Sequence, residues 1–172
     1  MDMGPYYVTA LVHLLGEVEY VSGIATRGFE KRMITSQPHN GTIIDVDVDT
    51  HIAGNLMFKN GAVGSIITSF DVHAHSLPII EIHGTDGSIR VPDPNTFGGP
   101  VMLYRPETGS FKEMPLLFGY PENSRGLGLS DMINAVYENR EPRAGLNLIY
   151  HVLDVMTGFT RSSESGRQIV MS

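Results

Sequence analysis

The feature that most constrains the fold is an alternation of apolar residues on both sides of Asn60-Gly61. These apolar residues occupy even-numbered positions: Ile44, Val46, Val48, Ile52, Leu56, Phe58, Ile66, Phe70 and Val72. Because strand side chains alternate between faces, two paired strands that bury the same parity must pair even with even. The pattern therefore predicts an antiparallel hairpin with the three-residue loop 59–61, in which Gly61 is left-handed.

This register makes definite predictions about facing residues. Thr50 should face Phe70, and the ladder should continue with Asp47 facing His73 and Asp45 facing His75. The face of this hairpin opposite the apolar one would then be rich in carboxylates and imidazoles.

Three segments have the periodicity of amphipathic helices, at residues 2–15, 124–139 and 145–164. In the first, Asp2 is predicted to be the N-cap, Pro5 lies in the first turn, and Gly16 ends the helix. Its predicted buried stripe is Met3, Tyr7, Ala10, Leu11 and Leu14. The second stripe is Leu129, Met132, Ile133, Val136 and Tyr137, and the third is Leu148, Ile149, Val152, Leu153, Met156 and Phe159, with Gly166 as C-cap.

The rest of the chain alternates between strands and loops. Strands are predicted at residues 18–28, 77–84, 88–92, 101–106 and 111–116, with a short one at 168–171. Residues 29–41 and 92–100 are predicted to be polar loops. The order of one helix, many strands and two helices predicts an α+β fold: a large, mostly antiparallel open sheet with helices packed on one face. We expect a single domain over residues 1–172.

Composition narrows the classes of function. Hydrophobic residues make up 41% of the chain and charged residues 18%, which is enough apolar material for a core. The net charge of −7, without a basic cluster, argues against a nucleic-acid or anionic membrane partner. The chain has no cysteine, which is compatible with a cytoplasmic protein. It has no apolar run long enough to span a membrane.

The Asp and His residues of the hairpin invite a metal-site interpretation. Alternate residues on a strand are about 6.6 Å apart, whereas one ion needs its ligands within about 2.0–2.6 Å. A pair of strands could supply two or three ligands, but the whole ladder could not. We therefore expect no metal site and favour a polar surface, solvated or buried between subunits. The residues concerned are Asp45, Asp47, Asp49, His51, Asp71, His73 and His75.

Other isolated features have simple explanations. Residues 84–87 are expected to form a strand-connecting turn rather than a phosphate loop, because no helix or lysine follows. His13 and His151 are expected to be packed or solvated residues of helices rather than catalytic groups. The chain has no G-x-G-x-x-G motif, so no dinucleotide-binding residues are expected within it.

Asp2 and Tyr6 form the remaining constellation. If both lie in the first turn of a helix, their side chains are neighbours at its positive end. The carboxylate could then hold a substrate hydroxyl, and the phenol could donate to a substrate oxygen. The simpler interpretation is an N-cap Asp beside a packed Tyr, and the residues alone leave both open.

The sequence resembles the C-terminal domain of the Gfo/Idh/MocA family of NAD(P)-dependent oxidoreductases. In that family a helix begins with Asp-x-Gly-x-His or Asp-x-Gly-x-Tyr and closes in Leu-Leu-Gly. Here these are D-M-G-P-Y from Asp2 and Leu14-Leu15-Gly16. The F-x-N-G-A-V-G hairpin at Phe58–Gly64, I-E-I-x-G-T-x-G-S at Ile80–Ser88 and a final S-x-x-x-G-R follow in order.

The resemblance implies a two-domain enzyme that transfers a hydride between NAD or NADP and a sugar, polyol or related hydroxy compound. It also implies that Asp2 and Tyr6 line the substrate site, as catalytic and substrate-binding residues, and that the open sheet face supports a homo-oligomer. The partner it implies is an N-terminal Rossmann domain, whose Gly-rich fingerprint and Glu-Lys-Pro lysine are absent here. The chain alone is therefore expected to bind no cofactor and to be inactive.

Two alternatives stay open from the sequence. The first is a non-catalytic binding or assembly module with the same fold. The second is a metal-dependent hydrolase that uses the Asp and His residues of the hairpin.

The family more often has His where this chain has Tyr6, and a phenol relays protons less readily than an imidazole at neutral pH.

Overall fold

The computed structural model describes residues 2–172. The chain folds into two compact units, one of residues up to His75 together with Asn147–Ser172, and one of Ser76–Leu146. All strand ladders are antiparallel and form two four-stranded sheets and one two-stranded sheet within the described residues. The predicted α+β class is therefore confirmed.

The first unit contains a four-stranded sheet with two helices packed on one face. Its elements are α1 (Gly4–Leu15), β1 (Val18–Thr26), β2 (Lys31–Met33), β3 (Ile43–Asp45), β4 (His51–Phe58) and β5 (Val63–Ser69), and later α3 (Leu146–Ser165) and β10 (Ile169–Val170). The sheet order is β10-β1-β4-β5, and β2 and β3 form the separate two-stranded sheet.

The hairpin of β4 and β5 has the predicted register. His51 faces Ser69, and Met57 faces Val63. The loop closes through the Phe58 N–H, which donates to the carbonyl of Ala62, and Gly61 has a φ of 89°. The parity of the apolar residues and the left-handed glycine were therefore sufficient to determine this turn.

The alternation that precedes this hairpin does not form one long strand. β3 ends at Asp45 and β4 begins at His51, and β3 pairs with β2 inside the segment predicted to be a loop. As a result, Ile44 and Val48 are 45% and 64% exposed, although their parity predicted burial. Parity fixes the face of a residue only while the strand remains paired to the same neighbour.

The core of the first unit lies between the sheet and helices α1 and α3. Its buried side chains are Val8, Val12, Val18, Val21, Leu56, Phe58, Val152, Val155, Met156 and Phe159. The stripe predicted for α1 is displaced by one residue, since Val8 and Val12 are buried and Leu14 is 49% exposed. Gly16 ends α1 as predicted, with a φ of 89° and its N–H donating to the carbonyl of Val12.

Two glycines on adjacent strands make room for the ring of Phe159 on α3. Gly23 faces Gly54 across β1 and β4. A Cβ atom on Gly54 would lie 2.5 Å from Phe159 Cε1, and one on Gly23 would lie 2.8 Å from Phe159 Cδ1. The ring therefore occupies space that side chains at positions 23 and 54 would otherwise fill. The lack of side chains at these two positions lets α3 pack close to the sheet.

Helix α3 also covers the outer edge of β1. β10 pairs with β1 only at Tyr20 and Val21. Beyond that point, the Gly23 N–H donates to Ser162 Oγ at 3.0 Å and the Ala25 N–H donates to Ser163 Oγ at 2.9 Å. Two serine hydroxyls of a helix thus replace the hydrogen bonds that a neighbouring strand would supply.

The second unit contains the strands β6 (Ile80–Gly84), β7 (Gly87–Val91), β8 (Val101–Tyr104) and β9 (Phe111–Met114), in that order in one sheet, and helix α2 (Gly126–Tyr137). The two hairpins match the predicted ones. The stripe predicted to be buried on α2 is exposed instead: Val136 and Tyr137 are 81% and 85% exposed, and Ala135 is buried. No helix within residues 2–172 is both long and apolar enough to cross a membrane.

Candidate functional site

The start of α1 differs from the sequence prediction at Asp2. The N-cap is Met3, without a side-chain hydrogen bond, and Asp2 lies before the helix. An Asp2 cap would have bonded to the N–H two or three positions further on, and the third position is Pro5, which has no N–H. The N–H of Tyr6 is satisfied by the carbonyl of Met3 at 3.2 Å instead. Asp2 and Tyr6 are therefore not two residues of one helical turn.

Both candidate side chains are accessible. Asp2 is exposed, and Tyr6 is 38% exposed on the first turn of α1. Within residues 2–172, the Asp2 carboxylate and the Tyr6 hydroxyl make no hydrogen bond or ion pair. A carboxylate and a phenol that lie close in the chain, at the end of a helix and without partners, can both bind hydroxyl groups of a ligand.

The Asp and His ladder predicted for the hairpin is wrong. β5 ends at Ser69, and Asp45 faces Lys31 on β2 rather than His75, with the carboxylate 3.4 Å from the ammonium nitrogen. His51 faces Ser69, and its Nδ1 lies 2.9 Å from Ser69 Oγ. Within the described residues, no three His, Asp or Glu side chains are grouped to hold a metal ion.

Asp71 has a different role from the one its position in the alternation predicted. Its Oδ2 accepts a hydrogen bond from Thr50 Oγ1 at 2.6 Å and one from the Gly28 N–H at 3.1 Å. Its Oδ1 is buried without a hydrogen-bond partner in the described chain, 3.9 Å from Arg32 Nη1. Asp71 therefore ties the ends of β1 and β5 together, and no local sequence signal could have shown this.

The two isolated histidines have different surroundings, one solvated and one packed. His13 is exposed on α1. His151 is 8% exposed, and its Nε2 accepts a hydrogen bond from the N–H of the fully buried Val18 at 3.0 Å. His151 is thus a buried acceptor for a strand N–H, and it lies on the face of α3 that contacts the sheet.

The part of the chain that is similar to known proteins in sequence includes the start of α1 and the strands that follow it. A model of the GFO/IDH/MocA C-terminal domain matches residues 1–90, which is just over half of the 172 residues. The chain belongs to the GFO/IDH/MocA family. The matched part includes the segment that carries Asp2 and Tyr6 and the hairpin of β4 and β5.

Sequence similarity extends to a protein of named activity. Levoglucosan dehydrogenase of Pseudarthrobacter phenanthrenivorans is 31% identical over an alignment of 98 residues, which covers 51% of this chain and 25% of that protein. The chain thus spans only part of the relative it matches.

Solved structures with a similar fold extend the likeness over nearly the whole chain. Levoglucosan dehydrogenase in complex with NADH has a TM-score of 0.74 at 21% identity, over 99% of this chain and 49% of that one. An aldose-aldose oxidoreductase from Caulobacter crescentus, complexed with glycerol, has a TM-score of 0.72 at 20% identity, over 99% of this chain and 46% of that one. An NAD binding oxidoreductase from Klebsiella pneumoniae gives 0.74 at 18% identity, over 99% and 50%. The chain therefore spans about half the length of these structures.

Proposed function

We propose that this chain is the substrate-binding domain of an NAD(P)-dependent dehydrogenase that oxidises or reduces a sugar, polyol or related hydroxy compound. The observation that carries the proposal is the family match over residues 1–90, which includes the Asp2–Tyr6 segment. The names of the relatives, which include a levoglucosan dehydrogenase and an aldose-aldose oxidoreductase, support a sugar as the substrate class.

The residues of this chain do not fit a dinucleotide site. The sequence contains no Gly-rich fingerprint of the kind that binds a pyrophosphate between a strand and a helix. NAD or NADP would be held by a separate nucleotide-binding domain, where it would exchange a hydride with the substrate carbon. The chain covers about half of the NADH-complexed levoglucosan dehydrogenase structure, which is compatible with this division.

Asp2 and Tyr6 are the residues of this chain that we assign to the substrate. The Asp2 carboxylate accepts a hydrogen bond from a substrate hydroxyl and so orients the sugar. The Tyr6 hydroxyl donates to the oxygen that becomes, or has been, a carbonyl oxygen. The hydroxyl proton of the substrate would pass to or from an acid–base group of the nucleotide-binding domain. Since that oxygen changes its charge during the reaction, a donor held by the rigid first turn of α1 stabilises the transition state more than the ground state.

The decisive test is the substitution Tyr6→Phe in a protein that carries this chain together with its nucleotide-binding domain. We expect kcat to fall at least about tenfold, because a hydrogen bond at the reacting oxygen is lost. Asp2→Asn should mainly raise KM. Tyr137→Phe is the matched control, since Tyr137 is 85% exposed on α2. Unchanged turnover of the Tyr6 variant would remove this residue from the mechanism.

We also propose that the chain forms a homo-oligomer through the open face of the sheet β10-β1-β4-β5. The surface predicted from the Asp and His residues does not exist on this sheet, but the face away from the helices carries apolar residues. Ile24, Ala53 and Ile67 form one row across three strands, and Ile24 and Ile67 are 71% and 57% exposed. Val63 on the same face is 69% exposed. Apolar side chains exposed in rows are typical of a surface that a partner covers.

A charge on this face should separate the subunits. We expect Ile67→Lys to shift the protein to a smaller species in analytical ultracentrifugation, because a buried lysine without a partner is costly. Glu19→Lys on β1 serves as the control, since Glu19 is exposed at the β1 irregularity and outside the apolar rows. An unchanged sedimentation coefficient for Ile67→Lys would exclude this face as the interface.

A further inference from the structure

An open groove lies in the second unit, between the loop 92–100 and the segment that precedes α2. Its volume is about 480 Å³. Its walls carry the ring of Phe97 and the polar side chains of Asn95, Thr96, Asn123, Glu122 and Arg125. A concave surface with an aromatic ring and several convergent polar groups is the usual form of a small-molecule site.

The walls of the groove are fixed by contacts inside the protein. The Asn95 N–H donates to Asp93 Oδ1 at 2.9 Å, and Thr96 Oγ1 donates to the carbonyl of Asp93 at 2.8 Å. Gly98 packs directly against Pro121, since a Cβ atom at Gly98 would lie 2.6 Å from the Pro121 carbonyl oxygen. The loop is therefore braced by its own hydrogen bonds, and it contacts the opposite wall at Gly98.

The side chains of the groove define the chemistry of its ligand. The Arg125 guanidinium carbon lies 5.8 Å from the centroid of the Phe97 ring. The aromatic ring therefore lies beside a group with five N–H donors. Asn95, Asn123 and Glu122 add acceptors and further donors around them. The charges of Arg125 and Glu122 have opposite signs, which favours a neutral ligand over an anion.

On the other side of residues 96–99, a second groove of about 270 Å³ is lined mainly by apolar residues, among them Pro92, Leu116 and Leu117. Of the two grooves, the first has amide side chains, a carboxylate and a guanidinium among its lining residues. A pyranose or cyclic polyol has a face of C–H groups and a rim of hydroxyls, which matches a ring face bordered by amides, a carboxylate and a guanidinium.

We propose that this groove, formed by Phe97, Asn95, Asn123 and Arg125, binds the ring of a neutral sugar or cyclic polyol. Phe97 packs against the C–H face of the ring, and the two amides and the guanidinium hydrogen-bond its hydroxyls. The proposal rests on the proposed function only in the choice of a sugar as probe. The groove lies in the second unit, and neither Asp2 nor Tyr6 lines it.

The test is a titration of the 172-residue chain with D-glucose, myo-inositol and D-gluconate, followed by saturation-transfer NMR and chemical shifts. We expect glucose and inositol to bind at millimolar concentration, as is usual for a small ligand in an open groove. Phe97→Ala should weaken binding of glucose about tenfold, because the apolar contact with the ring is lost. Arg125→Gln should have a similar effect, since hydrogen bonds from charged donors are lost.

Two further variants keep the test independent of folding. Phe97→Tyr retains the ring and should retain binding, and Tyr137→Ala on α2, outside the groove, should bind like the unmodified chain. The proposal is overturned if neither glucose nor inositol binds, if Phe97→Ala binds as well as Phe97→Tyr, or if gluconate binds more tightly than glucose. Since no dinucleotide is needed, this titration and the turnover of the Tyr6→Phe enzyme can fail independently.

Discussion

The space that Gly23 and Gly54 leave for Phe159 gives the sharpest prediction about stability. In Gly54→Ala the new Cβ atom would lie 2.5 Å from Phe159 Cε1 and 2.5 Å from the carbonyl oxygen of Ser22. Ordinary van der Waals contacts begin at 3.4 Å. Each of these two distances must therefore increase from 2.5 to 3.4 Å, that is, by 0.9 Å. The ring could turn, but the Ser22 carbonyl belongs to β1, which is paired along its length with β4.

We therefore expect Gly54→Ala to lower the free energy of unfolding by about 3 kcal/mol, the upper end of the cost of overpacking a core. For a chain of this size that corresponds to a fall in Tm of roughly 6–12 °C. Urea denaturation followed by far-UV circular dichroism measures the first quantity, and a thermal melt measures the second.

The control is Gly64→Ala on β5. There the new Cβ atom would lie 3.6 Å from Leu56 Cδ1 and 3.6 Å from Phe58 Cε2, which are ordinary contacts. Since alanine restricts the unfolded chain, this variant should be as stable as the unmodified protein or slightly more stable. Adding Phe159→Leu to Gly54→Ala should cost less than the sum of the two changes, because the ring clash of Gly54→Ala is absent once the ring is removed. Equal midpoints for Gly54→Ala and Gly64→Ala would refute the reasoning.

Two other predictions concern buried polar groups. His151→Leu leaves the N–H of Val18 buried without an acceptor and should lower the free energy of unfolding by about 1–3 kcal/mol. His151→Gln can keep the hydrogen bond and should lower it clearly less in the same urea assay. Equal losses for the two variants would show that only the packing of the ring matters. Burial would raise the pKa of Asp154, but hydrogen bonds from the Ser172 N–H and hydroxyl and the Arg161 guanidinium outweigh it, so the pKa is lowered. A carboxyl whose folded pKa is lowered stabilises the fold above its unfolded pKa and loses this contribution as the pH falls through the folded pKa. Asp154→Asn should therefore be less stable than the unmodified chain at neutral pH and equally stable in acid, and a difference that persists in acid would contradict this.

The parts of the fold that the sequence predicted are those that depend on neighbouring residues. The loop 59–61 follows from parity and one left-handed glycine, and the ends of α1 and α3 follow from Gly16 and Gly166, whose N–H groups cap carbonyls four residues back. The start of α1 was predicted one residue too early, although the sequence shows that Pro5 removes one of the two N–H groups that an Asp2 cap could bind.

Other features depend on residues far apart in the chain. The face of α3 that packs on the sheet includes His151, Gly158 and Ser162. Because these residues are not strongly apolar, a prediction of burial from the apolar stripe did not include them. His151 and Ser162 accept hydrogen bonds from N–H groups of β1, and Gly158 lies against the side chains of Val21 and Met171. These contacts cannot be seen before β1 is placed beside α3. Asp2 and Tyr6 were found through a family motif, and the groove at Phe97 needs two loops that are 20 or more residues apart.

The hydrogen bonds from β1 to Ser162 and Ser163 affect how the chain can aggregate when it unfolds. An unpaired strand edge is a template on which other chains can add strands, and here Ser162 and Ser163 occupy it from the side of α3. Another polypeptide can reach this edge only after the C-terminal half of α3 has left the sheet. That departure also removes Phe159 from its place over Gly23 and Gly54. Loss of the core and exposure of the β1 edge are thus a single event, so that strand addition at this edge should begin only at the melting transition.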